Sequence, residues 1–197
     1  STFANENRNN KLNKLIIKNM NYQYRYIMEY LPKRYSATTK QENDREVIYD
    51  FKNGYCRLSL MNTIVENIKE IKKELGGNNW RVCFIPASTH IKTACRYQKL
   101  AAFIEKETGI ACDYHTIQPI LDQESGHITG KKANPAENFT IKASDVAGKN
   151  IILIDDIITR GMTFMQTTDK LIRNGANMVR GLFLAKTINP DWVRHSA

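Results

Sequence analysis

No CxxC pair occurs in this sequence: Cys56, Cys83, Cys95 and Cys112 stand far apart. That spacing excludes a zinc knuckle, and four cysteines are too few for a disulfide-stapled secreted scaffold, so all are expected to be reduced and buried. No apolar run approaches the roughly 18 residues of a membrane span, and no basic-then-apolar leader opens the chain, so no membrane contact and a cytoplasmic setting are expected. His90, His115, His127 and His195 lack metal-ligand spacing, so no metal held by the protein itself is expected. Repeats and low-complexity tracts are missing as well. What the chain does have is ordinary globular composition: 197 residues, 42% hydrophobic and 25% charged, enough for one domain with an extension. Lys plus Arg number 29 against 20 acids, a net charge of +9 that favours an anionic partner, either nucleic acid or a phosphorylated metabolite.

Ser1 to Asn10 is polar and Asn-rich and is given no structure. From Lys11, apolar residues recur at Leu12, Leu15, Ile16, Tyr24, Ile27, Met28 and Leu31 before Pro32, a spacing that predicts a basic helix packing on the body. Leu60, Ile64, Ile68, Ile71 and Leu75 predict a second helix, stopped by Gly76 and Gly77. The pattern then alternates: strands over Trp80 to Pro86, Ile110 to Ile117, Asn150 to Asp155 and Met178 to Ala185, and helices over Thr93 to Thr108 and Thr163 to Asn174, with Gly109 and Gly175 as left-handed caps. This is an α/β class with a mostly parallel sheet flanked by helices, here with an N-terminal helical extension over 1–78 and a core over 79–197. Gln118 to Ala147, about 30 residues with few apolar anchors, is expected to be a functional loop.

The sharpest chemical signal runs from Ile151 to Thr163. Four branched apolar residues make a buried strand, and Asp155 and Asp156 follow at its carboxyl end, the edge where open α/β sheets bind ligands. Adjacent carboxylates there require hydroxyl donors, a cation or solvent, and a sugar diol or magnesium-bound substrate supplies them. Thr159, Arg160, Gly161, Met162 and Thr163 then form a short turn into a helix, aiming backbone amides and hydroxyls at one point that suits a phosphate. Acids for a diol followed by a phosphate cradle describe a ribose 5-phosphate receptor.

Over all thirteen positions this segment resembles the signature of type I phosphoribosyltransferases: four apolar residues, two acids, two apolar residues, Thr, a variable residue, Gly, any residue, Thr. The resemblance implies that Asp155 and Asp156 contact the ribose hydroxyls of phosphoribosyl pyrophosphate (PRPP) and that Thr159 to Thr163 binds its 5-phosphate. It extends over Trp80 to Ile188, placing Ala87, Ser88, Thr89, His90 and Lys92 in the pyrophosphate loop, with Arg96 beside it. Lys131 and Lys132 fall in the catalytic lid, which would exclude water from the reacting sugar. Arg160 leans toward the amidophosphoribosyltransferase branch, and Arg96-Tyr97-Gln98 is faintly similar to a stretch of the competence-associated ComF branch. A full-length member of the first branch would carry a glutaminase domain, and one of the second a cysteine-rich zinc module. Neither is expected from this sequence, which opens on serine.

The implied activity is an enzyme of nucleotide metabolism, a glycosyltransferase that displaces pyrophosphate from PRPP with a nitrogen nucleophile, either a nucleobase or an amine or ammonia. Magnesium would enter through PRPP, the extension would be the acceptor hood, and the expected assembly is a homodimer. Two rivals stand beside this: a non-catalytic PRPP-binding regulatory protein whose basic N-terminal segment touches nucleic acid, and a degenerate domain acting as an assembly partner. Gly126 to Lys132 imitates a P-loop but is one residue short and lacks the final Ser or Thr, which also removes a Walker B reading of Asp155. A receiver-domain acidic cluster fails for want of a second acid and a lysine in place.

Overall fold

The computed structural model describes residues 13–17, 20–120 and 135–190, with side chains from 22–120 and 136–190. Eight strands and five α-helices follow in the order β1 (Asn13–Ile17), β2 (Met20–Tyr30), α1 (Thr39–Lys52), α2 (Leu58–Leu75), β3 (Trp80–Phe84), α3 (His90–Thr108), β4 (Ala111–Cys112), β5 (Ile117–Pro119), β6 (Phe139–Ile141), α4 (Ala143–Val146), β7 (Asn150–Ile158), α5 (Met162–Arg173) and β8 (Met178–Thr187). The main sheet has the order β1-β2-β8-β7-β3-β4, and β5 and β6 form a separate two-stranded sheet. All main-sheet pairings are parallel except the β1–β2 hairpin. The expected mostly parallel sheet flanked by helices is therefore present.

β7 is central because it can be: Ile151, Ile152, Leu153 and Ile154 are fully buried, two on each face. One face packs Ile152 and Ile154 with Phe51 of α1, Ile64 and Ile68 of α2, and Leu100 and Ile104 of α3. The other packs Ile151 and Leu153 with Tyr22 and Tyr24 of β2, Phe164 and Leu171 of α5, and Ile117 of β5. Gly181 of β8 is glycine for want of room: a Cβ there would come within 2.8 Å of Phe164, Phe183 and Tyr24. Those aromatic rings meet edge to face at centroid distances of 5.3 to 6.1 Å, and they support the start of α5 from beneath.

The expected helix from Lys11 to Leu31 is instead a hairpin, β1 and β2, and β2 hydrogen-bonds in parallel to β8 from Tyr24↔Gly181 to Tyr30↔Thr187. The helical spacing was carried by residues on both sides of a gap, while Tyr22, Tyr24 and Tyr26 alternate with Gln23 and Arg25, as a strand does. The segment over 1–78 thus contributes both helices and strands, and its strands join the same sheet as the rest. α1, which apolar periodicity does not announce, carries a capping box: the Thr38 side chain accepts from the Gln41 amide while the Gln41 side chain accepts from the Thr38 amide. Cys56, Cys83 and Cys112 are buried and all four cysteines are free, but Cys95 is exposed, contrary to expectation, because it lies on the outer side of α3 against the Asn53–Gly54 turn. No helix among the described residues is long and apolar enough to cross a membrane.

Candidate active site

The carboxyl ends of β3 and β7 lie side by side, Phe84 opposite Ile154, so the chain leaving β3 passes directly beside Asp155 and Asp156. Asp155 accepts a hydrogen bond from the Asp156 backbone N–H at 2.8 Å and from the Tyr97 hydroxyl at 3.3 Å. The Asp156 Oδ2 faces two cations, Arg96 Nη1 at 3.0 Å and Lys52 Nζ at 3.7 Å. Burial pushes the Asp155 carboxyl well above the usual carboxylate range, and the neighbouring Asp156 charge adds to the rise. The two acids are thereby unlike: Asp156 is neutralised by fixed cations, whereas Asp155 is short of them and receptive to hydroxyl partners or a cation.

Among the described residues three clefts meet at this pair. The first, about 650 Å³, is lined by Ala87, Ser88, Lys92, Arg96, Asp155, Asp156 and Thr163, all expected from sequence, and also by Lys52, Asn53, Pro119, Asn138 and Phe139. The second, about 290 Å³, gathers Thr159, Arg160, Gly161, Met162 and Thr163 with Asp155. Gly161 sits at φ 76°, left-handed backbone that favours glycine, and α5 has no side-chain cap, so its first-turn amides face this pocket without an internal acceptor from the N-cap. The Thr159 hydroxyl is within 2.7 Å of the Thr187 hydroxyl, tying the turn to the end of β8. The third cleft, about 580 Å³, shares Lys52, Asp156, Thr159 and Arg160 and adds Tyr30, Pro32, Arg34, Thr187 and Asn189.

Two expected loop residues are not part of the lining. Thr89 caps α3, accepting from the Lys92 amide at 3.1 Å, and His90 is the exposed first residue of that helix. The Ala87 amide is already committed, donating to the Thr93 hydroxyl at 3.0 Å. Lys131 and Lys132 lie outside the described residues. Lys52, Tyr97 and the third cleft were missed because they come from distant parts of the chain. The capping box at Thr38 was the available signal, since it starts the helix that Lys52 ends.

Among the described residues no group of three or more His, Cys, Asp or Glu side chains could hold a metal ion. Two adjacent carboxylates at an open cleft do fit a magnesium ion carried mostly by substrate oxygens, which is how that ion is commonly held.

No family model matches the chain. A stretch of 72 residues is 39% identical to the ribose-phosphate pyrophosphokinase of Pyrococcus furiosus, covering 36% of this chain and 25% of that protein. The chain thus spans about a quarter of the length of that curated relative. Solved structures similar to it include the allosteric regulatory enzyme of purine biosynthesis, 18% identical with a TM-score of 0.42 over 69% of this chain and 30% of the other. The adenine phosphoribosyltransferase of Saccharomyces cerevisiae is 16% identical, with a TM-score of 0.40 over 70% and 73%. A hypoxanthine-guanine phosphoribosyltransferase of Bacillus anthracis is 14% identical, with a TM-score of 0.38 over 75% and 70%.

Proposed function

We propose that this chain is a type I phosphoribosyltransferase that binds magnesium-PRPP across the first two clefts and displaces pyrophosphate with a nitrogen nucleophile. The observation that carries the reading is the position of Asp155: it borders both the turn over Thr159 to Thr163 and the cleft bearing Lys92 and Arg96. A ribose between a phosphate and a diphosphate needs this order of groups. The thirteen-position signature and a relative named for ribose phosphate support it.

The 5-phosphate would sit on the uncapped amides of α5, where the helix dipole favours an anion. The ribose hydroxyls would donate to Asp155 and Asp156, relieving the enclosed Asp155 carboxyl. As the bond from the anomeric carbon to the diphosphate oxygen lengthens, positive charge develops on the ring and negative charge on the departing oxygens. Lys92, at the mouth of α3, would receive the second, and the acids beside the sugar would stabilise the first. Magnesium, when bound, would neutralise charge on the diphosphate. The nitrogen lone pair then forms the new glycosidic bond, and the acceptor loses its proton to solvent or a nearby base.

The rival reading places nucleic acid on the basic N-terminal segment; of its cations Arg25 of β2 is buried and paired with Glu70 and Glu74 of α2, while Lys33 and Arg34 are exposed. Calorimetric titration of magnesium-PRPP into wild type and Asp155→Asn tests the proposal. Saturable binding is expected, about ten- to a hundredfold weaker in the variant, the span of one charge-assisted hydrogen bond. No binding of PRPP or ribose 5-phosphate by folded protein would overturn it.

A further inference from the structure

The third cleft has a charge that the first two do not explain. Arg34, Lys52 and Arg160 line it against a single carboxylate, Asp156, and that carboxylate is already held by Arg96 at 3.0 Å. Arg160 belongs to the phosphate turn and Lys52 approaches Asp156 at 3.7 Å. Arg34 is different: it is exposed, it lies after β2, and among the described residues no carboxylate pairs with it. Its guanidinium rests over the Tyr35 ring, 4.9 Å from the centroid.

The wall that carries Arg34 is built rather than loose. The Tyr35 hydroxyl donates to Asn189 Oδ1 at 2.6 Å, joining the turn after β2 to the chain after β8. Arg45, buried in α1, donates to the backbone carbonyls of Leu31, Pro32 and Tyr35 at 2.7 to 2.9 Å, fixing the turn from below. The Tyr30 hydroxyl meets that of Tyr49 at 3.1 Å. A guanidinium on a turn held at this many points is a positioned cation, and its planar fork matches a carboxylate in two parallel hydrogen bonds.

The placement of the cleft gives that cation a use. With the 5-phosphate at Thr159 to Thr163, the hydroxyls at the acids and the diphosphate beside Lys92, the third cleft offers, among the described residues, a further approach to the sugar, since it shares Asp156 with the first cleft and Thr159 with the second. We infer that the nitrogen acceptor enters here and carries a carboxylate, which Arg34 binds while the nucleophilic nitrogen points toward Asp156. A neutral heterocycle would take from Arg34 only a single hydrogen bond at a carbonyl or ring nitrogen, whereas an anionic acceptor takes the bidentate charge-assisted pair and is drawn in by the local positive potential. This inference rests on the reading of the first two clefts as a PRPP site.

The test uses matched acceptors that differ in one carboxylate: nicotinate against nicotinamide, and uracil-6-carboxylate against uracil. Each is titrated into protein saturated with ribose 5-phosphate, which has no leaving group and so permits binding without turnover. The carboxylated member of at least one pair is expected to bind about ten- to a hundredfold tighter than its neutral partner. Arg34→Gln should reduce that preference to about twofold, while ribose 5-phosphate affinity reports whether the sugar site is intact. Equal or tighter binding of the neutral members, or no binding of any of the four to protein that does bind ribose 5-phosphate, overturns the inference alone. Failure of ribose 5-phosphate and PRPP to bind at all overturns the underlying reading and this inference with it.

Discussion

Arg96 and Asp156 lie on different elements, α3 and the end of β7, and the guanidinium Nη1 donates to the carboxylate at 3.0 Å. Only 15% and 12% of their side chains are exposed, so the pair ties α3 to the carboxyl edge of the sheet where the clefts meet. Removing one partner strands the other charge in a poorly solvated place. Arg96→Ala is expected to cost about 3 kcal/mol, or roughly 6–12 °C in melting temperature for a chain of this size. Arg96→Lys should recover only part of this, because an ammonium on a flexible stem does not reproduce the planar fork. Scanning calorimetry of both variants decides it, and an unchanged transition in Arg96→Ala would mean that Lys52 alone suffices.

Asp155 carries the pH dependence. Its carboxyl is raised on folding, first by burial and then by the Asp156 charge. A raised acid favours the folded state fully below its unfolded value, near 3.8, and that contribution is lost as pH rises through the folded value. The ligand-free wild type should therefore lose melting temperature between about pH 5 and 8 faster than Asp155→Asn. At about pH 8 the variant should melt roughly 3 °C or more higher, and near pH 4 it should show no gain. Saturating magnesium-PRPP should reverse the order, since the wild type gains the linked binding energy that the variant forfeits. A variant less stable than wild type at both pH values would show that Asp155 is a structural anion.

Tyr97 acts through Asp155. Its ring is stacked on Phe84 at a centroid distance of 4.4 Å and meets Phe51 edge to face at 5.9 Å, while its hydroxyl donates to Asp155 Oδ1 at 3.3 Å. Tyr97→Phe keeps the packing and deletes the donor. Loss of one hydrogen bond predicts PRPP binding weakened by about threefold to tenfold with the fold intact. Calorimetric titration beside thermal melts would separate this from a packing defect, in which the melting temperature would fall as well.

The parts of the fold that were legible in the sequence are those whose local pattern has one explanation. Ile151 to Ile154 reads as a buried strand because no other element carries four branched residues before two acids, and Leu60 to Leu75 reads as a helix because its stripe repeats without a gap. β2 was illegible because its alternation of Tyr22, Tyr24 and Tyr26 with Gln23 and Arg25 is short and is followed by Ile27, Met28 and Leu31 at helical spacing, while the burial of Arg25 against Glu70 and Glu74 comes only from the packing of α2. The same holds at the site. Asp155, Asp156 and the turn to Thr163 are contiguous and could be read, whereas Lys52 and Tyr97 reach the acids, and Arg34 comes to line a cleft with Asp156, only through the packing of α1, α3 and the turn after β2.

That packing bears on where the chain can be divided. A core starting at Asn79 would lose β2, leaving the β8 edge unpaired along Gly181 to Thr187, and would strip α1 and α2 from Ile152 and Ile154. A truncation lacking residues 1–78 is therefore expected to aggregate or to melt without a cooperative transition. A soluble fragment with a sharp transition would instead support a boundary at that point. A milder probe keeps the answer independent of aggregation. Tyr24 is 3% exposed and packs edge to face on Phe164 and Phe183, so Tyr24→Ala should cost about 3 kcal/mol. Because Phe164 follows Thr163 directly, the same variant should also loosen the phosphate turn and weaken PRPP binding. Intact binding in a destabilised Tyr24→Ala would show that β2 supports the sheet without reaching the site.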